Sequence, residues 1–200
     1  TGAGISAESG VPTFRGPGGH SWAAFGVANP VHAVGVATAG IAGLTLPTAP
    51  RCSASVVRIG GGSGLNTIPQ DAWLELDLRS ESESALDGMV AGVSKSLGKA
   101  LDGVNRRRSA NTQPLTLELV PLGTRPSGET PAAHPLVRAA VAATRLIGHT
   151  PELSAASTDA NVAIAHGAPG IALGAGGRGG DPHLATEWYE NTGGPEGIFR

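Results

Sequence analysis

Only one cysteine, Cys52, occurs in the 200 residues. That excludes an internal disulfide framework and a zinc ribbon built from cysteine pairs, and it fits a reducing, cytoplasmic setting. Positive charge is not in excess either: the formal net charge is -2 and the pI about 6.3. No basic field therefore exists to draw nucleic acid or an anionic membrane surface. No apolar run reaches the roughly 18 residues of a membrane span. A charged-then-apolar leader of the secretory kind is missing too. The first residue is Thr1, not Met, and it lies inside a motif; a fragment is the expectation.

What is present suits a soluble globular chain, with 40% hydrophobic residues and a mean hydropathy of +0.02. The length allows one or two domains with a real core. The 31 glycines concentrate at Gly16–Gly19, Gly60–Gly64 and Gly174–Gly180. Strongly periodic segments lie between these clusters, so they read as tight loops rather than a disordered linker.

Val11–Arg15 is a short extended run ended by a Gly-Pro-Gly-Gly turn. Asn29 is placed to cap a helix that has Pro30 at its first position, where the missing N–H costs nothing. That helix runs to about Leu44, and Pro47 and Pro50 close it. Ser53–Ile59 is β-branched and ends in glycine and serine, a strand followed by a loop. In Ala72–Arg79 the residues Trp73, Glu75, Asp77 and Arg79 alternate with Leu74, Leu76 and Leu78, the period of a half-buried strand. Ser80 and Glu83 have the spacing of a capping box for a helix to about Leu101. Its apolar residues Leu86, Met89, Val90, Val93 and Leu97 recur at helical spacing. Leu115–Val120 alternates again. The order β-α-β-β-α-β is that of the ferredoxin-like unit, which puts both helices on one face of a sheet. Beyond it, Ala132–Ile147 reads as a helix, Thr158–His166 as a short helix capped by Ser157 or Thr158, and Gly170–Leu173 as a short strand.

The chemistry-bearing pieces follow in order. Arg15-Gly-Pro-Gly-Gly-His20-Ser-Trp is followed by Asn66-Thr-Ile-Pro69, then Asp77-Leu-Arg79, Ser157-Thr-Asp159, and a glycine loop ending in Asp181-Pro-His183. This ordered set on a ferredoxin-like unit resembles the M20 metallopeptidases and related amidohydrolases over roughly residues 13 to 190. The resemblance implies a fold of class α/β (α+β). A ferredoxin-like βαββαβ dimerisation (lid) domain would occupy residues 11–122, and a C-terminal fragment of the α/β zinc-peptidase catalytic domain residues 123–200. It also implies a homodimer through the lid, two zinc ions in the intact protein, and hydrolysis of amide bonds in small peptides or N-acyl amino acids.

Carried over by position, His20 matches the lid histidine that hydrogen-bonds the substrate carbonyl oxygen as it becomes an oxyanion. A histidine satisfied locally in a glycine turn is the plainer alternative. Asn66 offers an amide that donates and accepts, and Arg79 a planar fork suited to a substrate carboxylate. Their matches in the family line the substrate pocket; a loop-capping Asn and a surface Arg beside Asp77 are the alternatives. His183 resembles the family's C-terminal zinc ligand, with Asp181 or Glu187 as the acceptor that sets its tautomer. The glycine loop either presents N–H groups to a substrate carboxylate or is simply mobile. His32, His134, His149 and His166 have no ligand-like spacing, and Asp159 supports a helix N-terminus.

The family's upstream ligands, a His-x-Asp, a bridging Asp and a Glu-Glu pair, do not precede His20. One imidazole does not hold a dizinc centre, so no hydrolase activity is expected of this chain alone. A non-catalytic homodimerisation module is the second reading. A third comes from Thr1–Gly16, TGAGISAESGVPTFRG, which resembles the cofactor loop of the sirtuins, NAD-dependent protein deacylases. That resemblance implies backbone approach to NAD phosphates at Gly2, Ala3 and Gly4, with Phe14 and Arg15 over the nicotinamide. The rest of a sirtuin is absent. Residues 1–16 therefore read as a segment joined to an unrelated chain.

Overall fold

The computed structural model describes residues 3, 4 and 6–199. In chain order its first elements are β1 (Ala3–Gly4), β2 (Ser6–Arg15), β3 (Gly19–His20), α1 (Pro30–Ala42), β4 (Cys52–Gly61), β5 (Thr67–Ile68), β6 (Asp71–Ser80), α2 (Glu83–Asn105) and β7 (Thr116–Arg125). There follow β8 (Gly128–Glu129), α3 (Pro135–Leu146), α4 (Ala160–Ala165), β9 (Arg178–Gly180), β10 (Trp188–Glu190) and α5 (Gly194–Phe199). They fall into two compact units, Ile5–Pro126 and a second made of Thr1–Gly4 with Ser127–Arg200.

The first unit is a four-stranded sheet in the order β4-β6-β2-β7, every pair antiparallel. With α1 between β2 and β4 and α2 between β6 and β7, this is the ferredoxin-like arrangement. Alternation along β6 explains its face choice. Leu74, Leu76 and Leu78 are buried under the two helices, while Glu75, Asp77 and Arg79 point away. The helices supply Ala33, Ala37 and Ile41 from α1 and Met89, Val93 and Leu97 from α2 to the same core. Fully burying a leucine such as Leu97 contributes roughly 1.5–3 kcal/mol.

Local signals set the helix starts. The Asn29 side chain accepts the Val31 N–H at 2.9 Å, with Pro30 at the first position of α1. The capping box between Ser80 and Glu83 does not form. Ser80 stays in the ladder opposite Cys52, so Ser82 becomes the N-cap, and the Ser80 hydroxyl accepts the Ser82 N–H at 3.1 Å. Helix α2 runs past Leu101 to Asn105, whose side-chain amide pairs with the Leu115 backbone. It accepts from the Leu115 N–H at 2.8 Å and donates to the Leu115 carbonyl at 3.1 Å. That pair of bonds aligns the last strand.

Strand β2 is longer than the expected Val11–Arg15. From Ser6 to Arg15 it is a central strand, with β6 along one side and β7 along the other. Ala3 and Gly4 precede it and pair with Glu129 and Gly128 of β8, while Phe14 is wholly buried in the core under the helices. Neither placement suits the sirtuin-like reading, which finds no support; Gly2, on which that reading also drew, lies outside the described residues. A β-bulge at Ser9/Gly10 interrupts the β2–β7 register. A Cβ at Gly10 would lie 3.2 Å from the Val120 carbonyl oxygen, closer than side chains normally come.

In the second unit β1 pairs with β8, and β9 with β10. Helix α3 is capped by His134, whose Nδ1 accepts the Leu136 N–H at 3.2 Å. Buried Thr130 clasps Gly170, donating to its carbonyl at 2.7 Å and accepting its N–H at 3.0 Å. The expected strand Gly170–Leu173 does not form: no described residue runs beside it as a ladder partner, and a strand exists only by pairing. Helix α4 starts at Ala160 with Asp159, not Ser157 or Thr158, in the N-cap position.

Candidate functional site

The Gly-Pro-Gly-Gly turn shapes the first candidate. Arg15 pairs with Asp71 at the end of the β2–β6 ladder, and the Gly16 N–H donates to the Gln70 carbonyl at 2.8 Å. Pro17 has no N–H to continue. Gly18 and Gly19 then take φ of 67° and 134°, and a Cβ at Gly18 would lie 2.7 Å from the Gln70 side chain. Pairing resumes with Gly19 opposite Ile68 and His20 opposite Thr67, one residue out of the earlier register. The Ser21 N–H donates to the Asn66 carbonyl at 2.8 Å, so His20 and Asn66 lie on one short antiparallel pairing.

The backbone after His20 curls back on its ring. Nδ1 accepts the N–H groups of Trp22 at 3.2 Å and Ala23 at 3.4 Å, and the His20 carbonyl accepts from Ala24 at 2.8 Å. With Nδ1 an acceptor, the neutral imidazole carries its proton on Nε2. His20 and Asn66 are both exposed. Around them stand Trp22, Phe25 and Leu65, large apolar side chains left almost wholly in water. Of these three the sequence reading named only Trp22, as the end of the motif that begins at Arg15.

Arg79 is not beside this pairing. It sits at the other end of β6, with its guanidinium on the Asp77 carboxylate at 2.8 Å. Eight strand steps at about 3.3 Å each put it about 26 Å from Asp71.

His183 belongs to the second unit, in the loop between β9 and β10. It has φ of 65° and follows Asp181 at 54°, left-handed positions that Asp and His tolerate better than most residues. The Glu187 carboxylate accepts the His183 backbone N–H at 3.1 Å and so fixes the loop rather than the ring. The glycines before it answer to packing: the Tyr189 hydroxyl donates to the Gly176 carbonyl at 3.1 Å, and a Cβ at Gly180 would lie 2.6 Å from Trp188 Nε1. Part of the glycine run is strand β9, paired with β10. Of the remaining histidines, His149 pairs with Glu196 at 3.3 Å and His166 closes α4. Among the described residues no three His, Cys, Asp or Glu side chains converge to hold a metal ion. The donor set of a dizinc centre therefore does not fit the residues described, His183 being one ligand at most.

A four-stranded ferredoxin-like sheet with its two helices packed on one face is the arrangement to which the comparisons point. The family model for the M20-type peptidase dimerisation domain matches residues 5–104, half of the chain. The chain belongs to the M20 peptidase family. No curated protein sequence matches it. Among solved structures, aminopeptidase PepT from Bacillus cereus shares 20% identity at a TM-score of 0.69, and 98% of this chain covers 49% of that one. A tripeptidase from Staphylococcus aureus shares 15% identity at a TM-score of 0.72, again with 98% covering 49%. An amidase of the hydantoinase/carbamoylase family from Burkholderia vietnamiensis shares 16% identity at a TM-score of 0.68, with 84% covering 39%. The chain thus spans about half the length of these structures or less. At such identities the likeness speaks for the fold alone.

Proposed function

We propose that this chain is the dimerising, carbonyl-facing part of an M20-type amide hydrolase acting on small peptides or N-acyl amino acids. The observation that carries the reading is the His20 ring, which has its Nδ1 held by backbone amides and its Nε2 left as an outward donor beside Asn66. A donor fixed in advance where negative charge develops lowers the barrier to amide attack, typically by a factor of about 10²–10³ in rate. Peptidase and amidase neighbours support the substrate class.

Two copies are needed on geometric grounds. A small peptide spans on the order of 10 Å, far less than the length of β6. It therefore meets both Asn66 and Arg79 only if different copies contribute them. Strand β4 is the edge we assign to the dimer, because the matching dimerisation-domain model includes it and stops before β7. Its exposed Val57 and Ile59 and its open ladder groups suit a second copy. Helix α1, which packs on β4, has no charged residue to oppose such an approach.

His183 is proposed as one zinc ligand. One imidazole does not hold two ions, so this chain by itself turns nothing over. Among the described residues no helix is long and apolar enough to cross a membrane, and the single thiol of Cys52 suits a reducing, cytoplasmic setting.

Sedimentation with a zinc-supplemented assay on N-acyl amino acids and tripeptides tests this reading. A dimer without turnover is expected, with Val57→Lys/Ile59→Lys shifting it to monomer. A monomeric native chain sinks the dimer assignment, and turnover by this chain alone sinks the claim that it lacks a complete metal centre.

A further inference from the structure

Where α1 begins and α2 ends, the first unit encloses a cleft of about 500 Å³. Its lining includes His32, Arg107 and Arg108 together with Val27, Val36 and Val104. The cations face no carboxylate: among the described residues, none of Arg106, Arg107 and Arg108 enters an ion pair, in a chain whose net charge is -2. Arg108 shows the deficit directly. One of its terminal nitrogens donates to the Ser109 carbonyl at 3.2 Å, while its Nε is buried and has no acceptor. A buried guanidinium N–H without an acceptor is costly, and no group among the described residues offsets it here.

The walls are held in place. Ser109 donates its N–H to the Gly26 carbonyl at 2.8 Å, and the Thr112 hydroxyl reaches the same oxygen at 3.3 Å. These bonds tie the loop after α2 to the turn before α1. Gly26, at φ of 80°, is packed so closely on Ser109 that a Cβ would lie 2.7 Å from the Ser109 Cβ. The positive end of the α1 dipole opens on the same cleft beside Asn29, which favours negative charge there.

We propose that this cleft binds a small organic anion, its carboxylate or phosphate on Arg107, Arg108 and His32 and its apolar body against the valines. The site is separate from the exposed edge of the His20 ring and does not rest on a hydrolytic role for the chain. Arginine suits it better than lysine because its planar fork meets a carboxylate or phosphate with two parallel bonds.

The test is a titration of the isotope-labelled 200-residue chain with hexanoate, and separately with inorganic phosphate, at low ionic strength where surface charge is least screened. Saturable hexanoate binding with a Kd of about 1 mM or tighter is expected. Amide shifts should centre on residues 26–36 and 104–109, and Arg107→Gln/Arg108→Gln should weaken binding at least about tenfold. Phosphate binding as tightly as hexanoate overturns the part given to the valines. No saturation by either probe at about 10 mM, shifts centred elsewhere, or undiminished binding by the double variant overturns the site. If that variant does not fold, the shift map on the unaltered chain decides.

Discussion

The Trp22 amide nitrogen lies 3.2 Å from Nδ1 of His20 and donates to it. That N–H, with the one from Ala23, decides which ring nitrogen is left to act on anything outside the chain.

Long-range proton–nitrogen correlation spectra should show neutral His20 protonated on Nε2, with Nδ1 as the unprotonated nitrogen. An Nδ1-protonated ring removes the donor on which the proposed carbonyl contact depends. His20→Ala should leave the sheet intact, because the ring is exposed and the residue's ladder contact is made by backbone.

Asn105 joins the end of α2 to the start of β7 through two bonds to Leu115. Asn105→Ala leaves the Leu115 N–H and carbonyl without these part-buried partners. A loss of about 1–3 kcal/mol is expected. It should be read from the urea midpoint with an unchanged slope; an unaltered midpoint would mean that water replaces the amide at no cost.

Gly148 and Gly177 both have positive φ, at 83° and 77°. A Cβ at Gly148 meets nothing, whereas one at Gly177 meets the Tyr189 hydroxyl. Gly148→Ala should cost about 1–2 kcal/mol from conformation alone. Gly177→Ala should cost more and free Tyr189 from the Gly176 carbonyl. Thermal unfolding of the two variants compares them; equal losses would show that the Tyr189 contact carries no weight.

The ferredoxin-like order was legible because its signals are local. Period two in β6, helical spacing in α2 and the Asn29-Pro30 start each express themselves within a few residues. Gly170–Leu173 misled for the same reason: an apolar run states a preference for burial, not the identity of a neighbour. The short β3–β5 pairing escaped notice because its two strands have only two residues each and are distant in sequence. Through resemblance the sequence offered His20, Asn66, Arg79 and His183 as candidates. It did not tell that Arg79 stands at the far end of β6 from the His20 pairing.

Composition and periodicity by themselves determined the absence of an internal disulfide, the lack of a basic field, the α/β alternation and the buried faces of β6 and α2. Those properties depend on residue type and on steps of two or of three to four along the chain. Only the tertiary structure decided that β2 is a central strand, that the N-cap of α2 moves from Ser80 to Ser82, that His20 and Asn66 come onto neighbouring strands, and that Arg107 and Arg108 face a cleft with no carboxylate. Each of these depends on which distant backbone comes alongside, and sequence spacing does not encode the partner of a hydrogen bond.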